Sequence, residues 1–503
     1  MRRMLAVVAC LVIILGLAPG AFAQAPAPKV TINGLFDQIT SGGKNIYDGN
    51  FSRSSEREWY ARTRFRPDFT FEVGRTKAVL GLEMDLQYGS NTGGDGGFPT
   101  DTGCGHPGSN GCLDINTDVA GIIEIKWIYT EFDLTGKNSL MPFIPVPTVA
   151  RVGGQPFSTL ANYKVTYANG DFAGVSAVTT WAPNLKTNLT YVMVEEEIAG
   201  SNRLVRTDPL RRGEDWAAIL SADITPFKGL DIKPLYSYFY VDGPTSGSSR
   251  RSVNNVVAVA PTHEDRHTVG VDARFRSGPF SFDPTVLFQF GEIEQTGAGD
   301  ADIRAWLVDL QGGFQLGPLL LEARGVYTTG NKASDDLTGG RRKYFQPLDT
   351  DTGYWSGWSQ IQALGIDYFN GGGNTLNGMS THIGYDRYGR AGFAVRATYS
   401  LTPELAFYVI GSPTWTAEKV DTDTTMVTTG GQVVRSAPTS GGDSRYIGTE
   451  ANVGTTWRFA PNTVFDLVGA YLFAGDALDT ADASGNRDAK DGWTIAARVR
   501  LSF

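Results

Sequence analysis

Residues 58–73 read EWYARTRFRPDFTFEV, and neighbouring positions in this stretch belong to different chemical classes. The odd positions are mostly aromatic or aliphatic, whereas the even positions are mostly polar and include Arg62, Arg64 and Arg66. Successive side chains point to opposite faces of a β-strand. The stretch therefore predicts a long strand with one apolar face and one charged face.

The same alternation returns along the whole chain. The 61 glycines and 24 prolines among 503 residues also fit a chain of strands and turns better than a helical bundle. Eighteen segments are predicted to be strands: 30–40, 57–73, 77–89, 121–134, 148–157, 170–181, 184–196, 214–226, 230–242, 264–276, 280–295, 300–316, 319–331, 386–402, 405–419, 443–459, 463–477 and 491–503.

Short and long connections alternate between these segments. The long ones include 90–120, 243–263, 332–385 and 420–442. A soluble sandwich also alternates in polarity, but it has no reason to collect its long loops at one end. The prediction is therefore an all-β fold, a transmembrane antiparallel β-barrel of about 18 strands, with short periplasmic turns and long extracellular loops.

The first 23 residues have the features of a secretory signal peptide. Arg2 and Arg3 precede the apolar run 5–17, and the small-residue sequence 21–23 reads AFA. We expect residues 1–23 to be removed and residues 24–503 to form a single barrel domain. After residue 23 no apolar run is long enough to predict a membrane helix.

Two cysteines remain in the predicted mature chain. Cys104 and Cys112 lie in the glycine-rich connection 90–120, and an exported protein meets an oxidising compartment, so a loop disulfide is favoured over zinc binding with His106. The aspartates of 476–491 form an acidic loop in which Ca²⁺ is a minor alternative. No other metal or cofactor is expected.

Three segments carry a resemblance to a known family. The last segment, GWTIAARVRLSF at 492–503, ends on Phe503 and is similar to the C-terminal assembly signal of bacterial outer-membrane porins. VTINGLFD at 30–37 resembles their opening strand, and RVGGQ at 151–155 resembles the fifth-strand segment before the loop that folds back into the pore.

The resemblance implies a channel for passive diffusion of small hydrophilic solutes in the bacterial outer membrane. It also implies contact with membrane lipid and lipopolysaccharide, and insertion by the barrel-assembly machinery through Phe503. Porin-like barrels occur as monomers and as trimers, and a homotrimer is the favoured assembly here.

If the apolar positions face lipid, the polar positions face the lumen. The predicted pore-lining bases are Arg62, Arg64, Arg66, Arg151, Arg390, Arg396, Arg498 and Arg500, and the predicted pore-lining acids are Glu83, Asp85 and Glu450. Because the last strand closes onto the first, Arg62–Arg66 and Arg498–Arg500 are expected to form an arginine ladder on one wall. Two interpretations stay open: a track for anionic solutes, or structural pairing with acids.

The connection 332–385 is rich in aromatic residues, including Tyr344, Phe345, Tyr354, Trp355 and Trp358. Disordered segments contain few aromatic residues, so we expect an ordered cap or constriction, with sugar stacking as the alternative.

Other classes of function are disfavoured. Four histidines and the absence of nucleophile and phosphate-loop motifs argue against an enzyme, and a net charge of -9 argues against nucleic-acid binding. The main alternative is a conduit for an anionic polysaccharide, because the arginine ladder and YTTGNK at 327–332 look faintly like alginate-export barrels. A closed structural barrel is the third possibility.

Overall fold

The computed structural model forms a closed antiparallel barrel of 18 strands. It describes residues 27–45, 51, 57–88, 123–164, 166–168, 171–196, 214–242, 261–295, 299–335, 340–348, 352–363, 381–384, 387–422, 425–427, 433–435, 441–482 and 485–503. The predicted signal peptide and the whole 90–120 connection, with Cys104 and Cys112, lie outside these residues.

The strands follow one another around the barrel in chain order. They are β1 (Lys29–Lys44), β2 (Glu58–Val73), β3 (Thr76–Tyr88), β4 (Ile123–Thr135), β5 (Thr148–Pro156), β6 (Asp171–Ala182), β7 (Leu185–Glu196), β8 (Glu214–Phe227), β9 (Leu230–Asp242), β10 (Pro261–Ser277), β11 (Phe280–Gln295), β12 (Ala301–Leu316), β13 (Leu319–Thr328), β14 (Arg390–Ser400), β15 (Leu405–Val420), β16 (Ser444–Ala460), β17 (Thr463–Ala474) and β18 (Gly492–Ser502).

The barrel closes because β1 pairs antiparallel with both β2 and β18. At the seam, the backbones of Gly34 and Phe503 exchange two hydrogen bonds, and the Phe503 ring stacks on Phe65 with centroids 6.1 Å apart. A closed barrel leaves no strand edge unpaired, as a bilayer requires. The prediction of a transmembrane antiparallel barrel is confirmed.

The predicted strand boundaries agree closely with the structure. The largest differences are at β1, which extends to Lys44, and at β14, which begins at Arg390 rather than 386. The pairing of β3 with β4 is interrupted at one point, where the register shifts between Gly81 and Leu82. There the Trp127 ring lies so close to Gly81 that an added Cβ would sit 2.0 Å from its Nε1 atom.

The outer surface is apolar around the barrel. Large exposed side chains come from every part of the circumference, among them Ile32, Phe71, Leu189, Leu220, Phe282, Leu310, Val395, Val409, Val453 and Ile495. Aromatic side chains near the strand ends, such as Trp59, Trp181, Trp306 and Trp457, are also exposed. This is the lipid-facing pattern of a membrane barrel with interfacial aromatic belts. Within the described helices, none has the length and apolarity needed to cross a membrane.

The buried core lies inside the barrel. It forms where the described parts of two connections, 157–170 and 329–389, pack against the inner face of the wall. The first contains a one-turn helix, α1 (Ser158–Ala161), and the second contains a short strand, Gly340–Arg342, that pairs in parallel with the start of β12. Two small hairpins (Thr425–Val427 with Val433–Arg435, and Thr480–Asp482 with Gly485–Arg487) and a short 3-10 helix (Asp476–Leu478) complete the described elements.

Candidate functional site

The inner wall at the barrel seam carries the arginine ladder. Asp37 on β1 lies opposite Arg64 in the pairing with β2 and opposite Arg500 in the pairing with β18. Its carboxylate accepts a hydrogen bond of 2.6 Å from Arg500 Nε. On the same wall, Arg498 Nη2 lies 2.8 Å from Asp466 Oδ2. The strand register therefore brings the two arginine groups onto one wall.

The other rungs of the ladder bind carboxylates of β3. Arg64 donates from Nε to Asp85 at 2.8 Å and also contacts Glu83 at 2.9 Å, while Arg62 pairs with Asp85. Glu83 additionally binds Arg66 at 2.9 Å and Lys126 at 3.5 Å. Four cations thus share two buried carboxylates, and each cation lies within ion-pair distance of at least one of them.

The two partners of several inner-wall ion pairs differ in exposure. Five arginines expose 19–31% of their side chains, whereas their carboxylate partners expose 0–15%. The pairs are Arg66–Glu83, Arg151–Glu131, Arg396–Glu322, Arg498–Asp466 and Arg500–Asp37. In each, the acid lies against the wall and the guanidinium extends beyond it. Other inner-wall pairs have the opposite arrangement, with the acid more exposed, among them Lys233–Asp223, Arg62–Asp85 and Arg64–Asp85.

The connection after β5 folds into the lumen and bridges several strands. The Tyr163 hydroxyl donates to Asp223 at 3.1 Å, and its ring lies between Lys233 Nζ and the Arg274 guanidinium, 4.7 and 4.4 Å from its centroid. The sequence analysis did not identify Tyr163. A short connection has no alternation of polar and apolar residues, so its sequence does not show which side chains face the lumen.

Lys164 follows in the same connection. Its ammonium lies 3.1 Å from Asp309 Oδ1, and its backbone N–H donates to Asp272 Oδ2 at 3.0 Å. Burial lowers the pKa of Lys164, while the nearby Asp309 carboxylate acts in the opposite direction. These contacts fasten the connection to β10 and β12, so its main chain narrows the lumen.

The long connection 329–389 also enters the barrel. Five aromatic side chains in its described part are almost fully buried: Tyr344, Phe345, Tyr354, Trp355 and Trp358. Three wall arginines lie against three of these rings, with guanidinium-to-centroid distances of 4.8 Å (Arg390–Tyr354), 5.8 Å (Arg324–Trp355) and 4.3 Å (Arg396–Trp358). Such cation–π contacts hold the segment against the wall and cover ring faces that sugar stacking would need.

Glu450 of β16 binds the segment 359–362 of this connection. Gln360 N–H and Ile361 N–H donate to Oε1 at 2.6 and 3.0 Å, Gln362 N–H donates to Oε2 at 2.9 Å, and the Ser359 hydroxyl donates to the same oxygen. An ionised carboxylate only accepts hydrogen bonds, so four donors around its two oxygens satisfy the buried group. Glu450 was predicted to line the pore; it lies on the inner face of β16, where the segment 359–362 covers it completely.

Two aspartates of the acidic loop 476–491 accept hydrogen bonds from groups of the protein. Asp479 accepts a hydrogen bond from Ala489 N–H at 2.7 Å, and Asp491 accepts from Ala474 N–H at 3.0 Å and from the Tyr471 hydroxyl at 2.8 Å. Among the described residues, no group of three histidine, cysteine or acidic side chains is arranged to bind a metal ion.

Comparisons with known proteins find similarity in structure. No protein-family model matches the chain, and no curated protein matches its sequence. Among solved structures, the outer membrane protein OprD from Pseudomonas aeruginosa is 10% identical, with 94% of each chain covered and a TM-score of 0.48. A BenF-like porin from Pseudomonas fluorescens Pf-5 is 10% identical (94% of this chain, 98% of that chain, TM-score 0.48), and OccK8 (OprE) from Pseudomonas aeruginosa is 11% identical (94% and 98%, 0.46).

Proposed function

We propose that this protein is a porin of the bacterial outer membrane, which passes small hydrophilic solutes by passive diffusion. The observation that carries the proposal is a closed 18-strand barrel with an apolar outer surface and a charged inner wall. A barrel of this strand number encloses an aqueous lumen, and the described parts of the two inward connections narrow that lumen.

We further propose a preference for anionic solutes. The support is the difference in exposure within the inner-wall ion pairs, where the arginine is the more exposed partner in five of them. A passing anion meets guanidinium groups that retain their charge and offer several hydrogen-bond donors. The carboxylates behind them hold these groups in place. A track for anionic solutes and structural pairing with acids are therefore compatible properties of the same wall.

The conduit for an anionic polysaccharide receives less support. Such a conduit would need a strongly basic lumen, but the ladder arginines have acidic partners. It would also need a wide path, whereas the connections 157–170 and 329–389 both occupy the interior. These features favour small solutes over a polymer chain.

The test is planar-bilayer conductance of the refolded mature protein under a salt gradient. We expect stable conductance steps and an anion-selective reversal potential. Arg66→Gln removes a cation from the inner wall, while Arg304→Gln removes one from the exposed outward face of β12. Only the first substitution should move the reversal potential toward cation selectivity. Well-folded protein that gives no steps would reject the porin proposal, and equal shifts in both variants would reject the anion preference.

A further inference from the structure

Two aromatic side chains and two arginines form a continuous patch on the inner wall at β2 to β5. Trp127 and Tyr129 lie two residues apart on β4, and both are half-buried. The guanidinium carbon of Arg66 on β2 lies 5.9 Å from the centroid of Trp127, and that of Arg151 on β5 lies 5.1 Å from the centroid of Tyr129. We call these four residues the ring patch. It continues the arginine ladder toward the periplasmic end of β4.

Two glycines leave the rings uncovered by the neighbouring strands. Gly81 of β3 pairs with Trp127, and Gly153 of β5 pairs with Tyr129. A Cβ atom added to Gly81 would sit 2.0–2.4 Å from three atoms of the Trp127 ring, so the indole lies across β3 where another residue would place its side chain. Gly153 has a φ of +124° and adds no side chain beside Tyr129. The rings therefore lie along the wall with one face turned toward the lumen.

The arginines of the ring patch are held differently from those at the barrel seam. Arg66 and Arg151 are each held through Nε by a glutamate of the neighbouring strand. Within the described part of the chain, the terminal nitrogens of these two guanidinium groups donate no hydrogen bond. Arg498 and Arg500, by contrast, bind their aspartates through both Nε and Nη2. The ring patch thus offers two pairs of guanidinium donors that point away from the wall.

The ring patch lies on a different part of the wall from the inward connections. The contacts described above join those connections to strands from β8 to β16, whereas the ring patch lies on β2, β4 and β5. Arg66 and Arg151 expose 26% and 31% of their side chains. The rings and the guanidinium groups are therefore within reach of a passing solute.

We propose that the ring patch binds a phosphorylated monosaccharide during its passage through the channel. The apolar face of the sugar ring stacks on Trp127 or Tyr129, and the phosphate binds the terminal nitrogens of Arg66 or Arg151. The two rings are two strand residues apart, about 7 Å, so the solute moves from one to the other in a short step. The inference rests on the proposed channel and its preference for anions, and it adds the class of solute.

Charge and hydrogen-bonding capacity favour this class of solute. A phosphate monoester carries about −1.5 to −2 charges at pH 7 and three acceptor oxygens, which suits a fork of two donors beside further arginines. Asp68 accepts a hydrogen bond from the Trp127 side chain and lies opposite Gly81, and Glu131 is paired with Arg151. Sugar hydroxyls can donate to these carboxylates beside the rings, whereas an aromatic acid has no such donors.

The experiment measures how glucose 6-phosphate blocks single-channel current through the refolded mature protein in a planar bilayer. The comparison probes are glucose, inorganic phosphate, glucuronate and phenyl phosphate. The variants are Tyr129→Ala and Arg151→Gln. Tyr408→Ala is the matched control, because this inward tyrosine of β15 also lies over a glycine, Gly454, but packs against the buried core. Heat-dependent electrophoretic mobility checks that each barrel is folded.

We expect glucose 6-phosphate to block the wild type and the control at a concentration about tenfold lower than any comparison probe, and each ring-patch variant to need about tenfold more of it. Equal block of the wild type by inorganic phosphate, glucuronate or phenyl phosphate would overturn the sugar-phosphate assignment. Unchanged block in both ring-patch variants, or an equal loss in the control, would overturn the site.

The same recordings separate this inference from the proposed function. A folded barrel without conductance steps rejects the channel itself, and the reversal potential in potassium chloride tests the preference for anions. Stable, anion-selective steps that glucose 6-phosphate does not block would reject only the ring patch as a binding site.

Discussion

Replacement of Glu450 by alanine should release the inward segment 352–363 from the barrel wall. The carboxylate accepts hydrogen bonds from three backbone N–H groups and from the Ser359 hydroxyl, all in one buried site. Alanine leaves these donors without an acceptor while the segment remains packed. The substitution therefore acts on the position of the segment more than on the closure of the barrel.

The size of the effect follows from the number of contacts. A buried group that loses its partner costs about 1–3 kcal/mol, and hydrogen bonds to charged acceptors lie toward the upper end. If the costs were additive, three amides without an acceptor would destabilise the packed segment by several kcal/mol. Partial solvation of the amides reduces this destabilisation to about 4 kcal/mol. A loss of about 4 kcal/mol changes the ratio of released to packed segment about a thousandfold.

Two measurements detect release of the segment 352–363 from the wall. Single-channel recordings should show larger or noisier conductance, and limited proteolysis should cut within 352–363 faster than in the wild type. Asn452→Ala is the matched control, because Asn452 is buried on the same face of β16, two residues further along. If Glu450→Ala shows wild-type conductance and protease resistance, the anchoring role is refuted. If Asn452→Ala has an equal effect, general loosening of β16 explains the result.

Three further predictions concern the ladder and the two inward connections. Arg64→Gln should lower barrel stability but change ion selectivity less than Arg66→Gln, because Arg64 is covered and Arg66 is a quarter exposed; thermal unfolding and reversal potentials separate the two effects. Lys164→Met should loosen the first connection by about 1–3 kcal/mol by leaving Asp309 without its ammonium partner, and unchanged open-channel noise would contradict this. Burial lowers the pKa of His382 from 6.5 to about 4. His382 therefore binds a proton at a lower pH when the connection is packed than when the connection is released. The free energy that holds the connection against the wall should therefore be largest above pH 6.5 and should fall by up to about 1.4 kcal/mol per pH unit between pH 6.5 and pH 4. Limited proteolysis should become faster over the same pH range, and His382→Asn should abolish this pH dependence.

Several site residues were accessible to sequence reasoning. Arg64, Glu83 and Asp85 lie on regular strands, so their inward direction follows from alternation alone. Asp37 was missed although it obeys the same rule, because its strand shows weaker contrast between faces. Lys126 was missed for a physical reason: the shift between Gly81 and Leu82 interrupts the alternation of β4 against β3.

The contacts of the connections could not be predicted in this way. The pairing of Glu450 with the amides of 360–362 joins positions almost ninety residues apart, and backbone amides have no sequence signal. Likewise, the aromatic composition of 332–385 predicted an ordered segment, but did not reveal that Arg324, Arg390 and Arg396 cover its rings.

The sequence by itself determined the barrel, because strand direction, strand length and the choice of lipid-facing side are local properties repeated every two residues. Tertiary structure alone decided which acid pairs with each arginine, how far each guanidinium extends toward water, and that both inward connections pack inside. These properties depend on strand register and on loop paths, which arise only when distant segments meet and exclude water from each other.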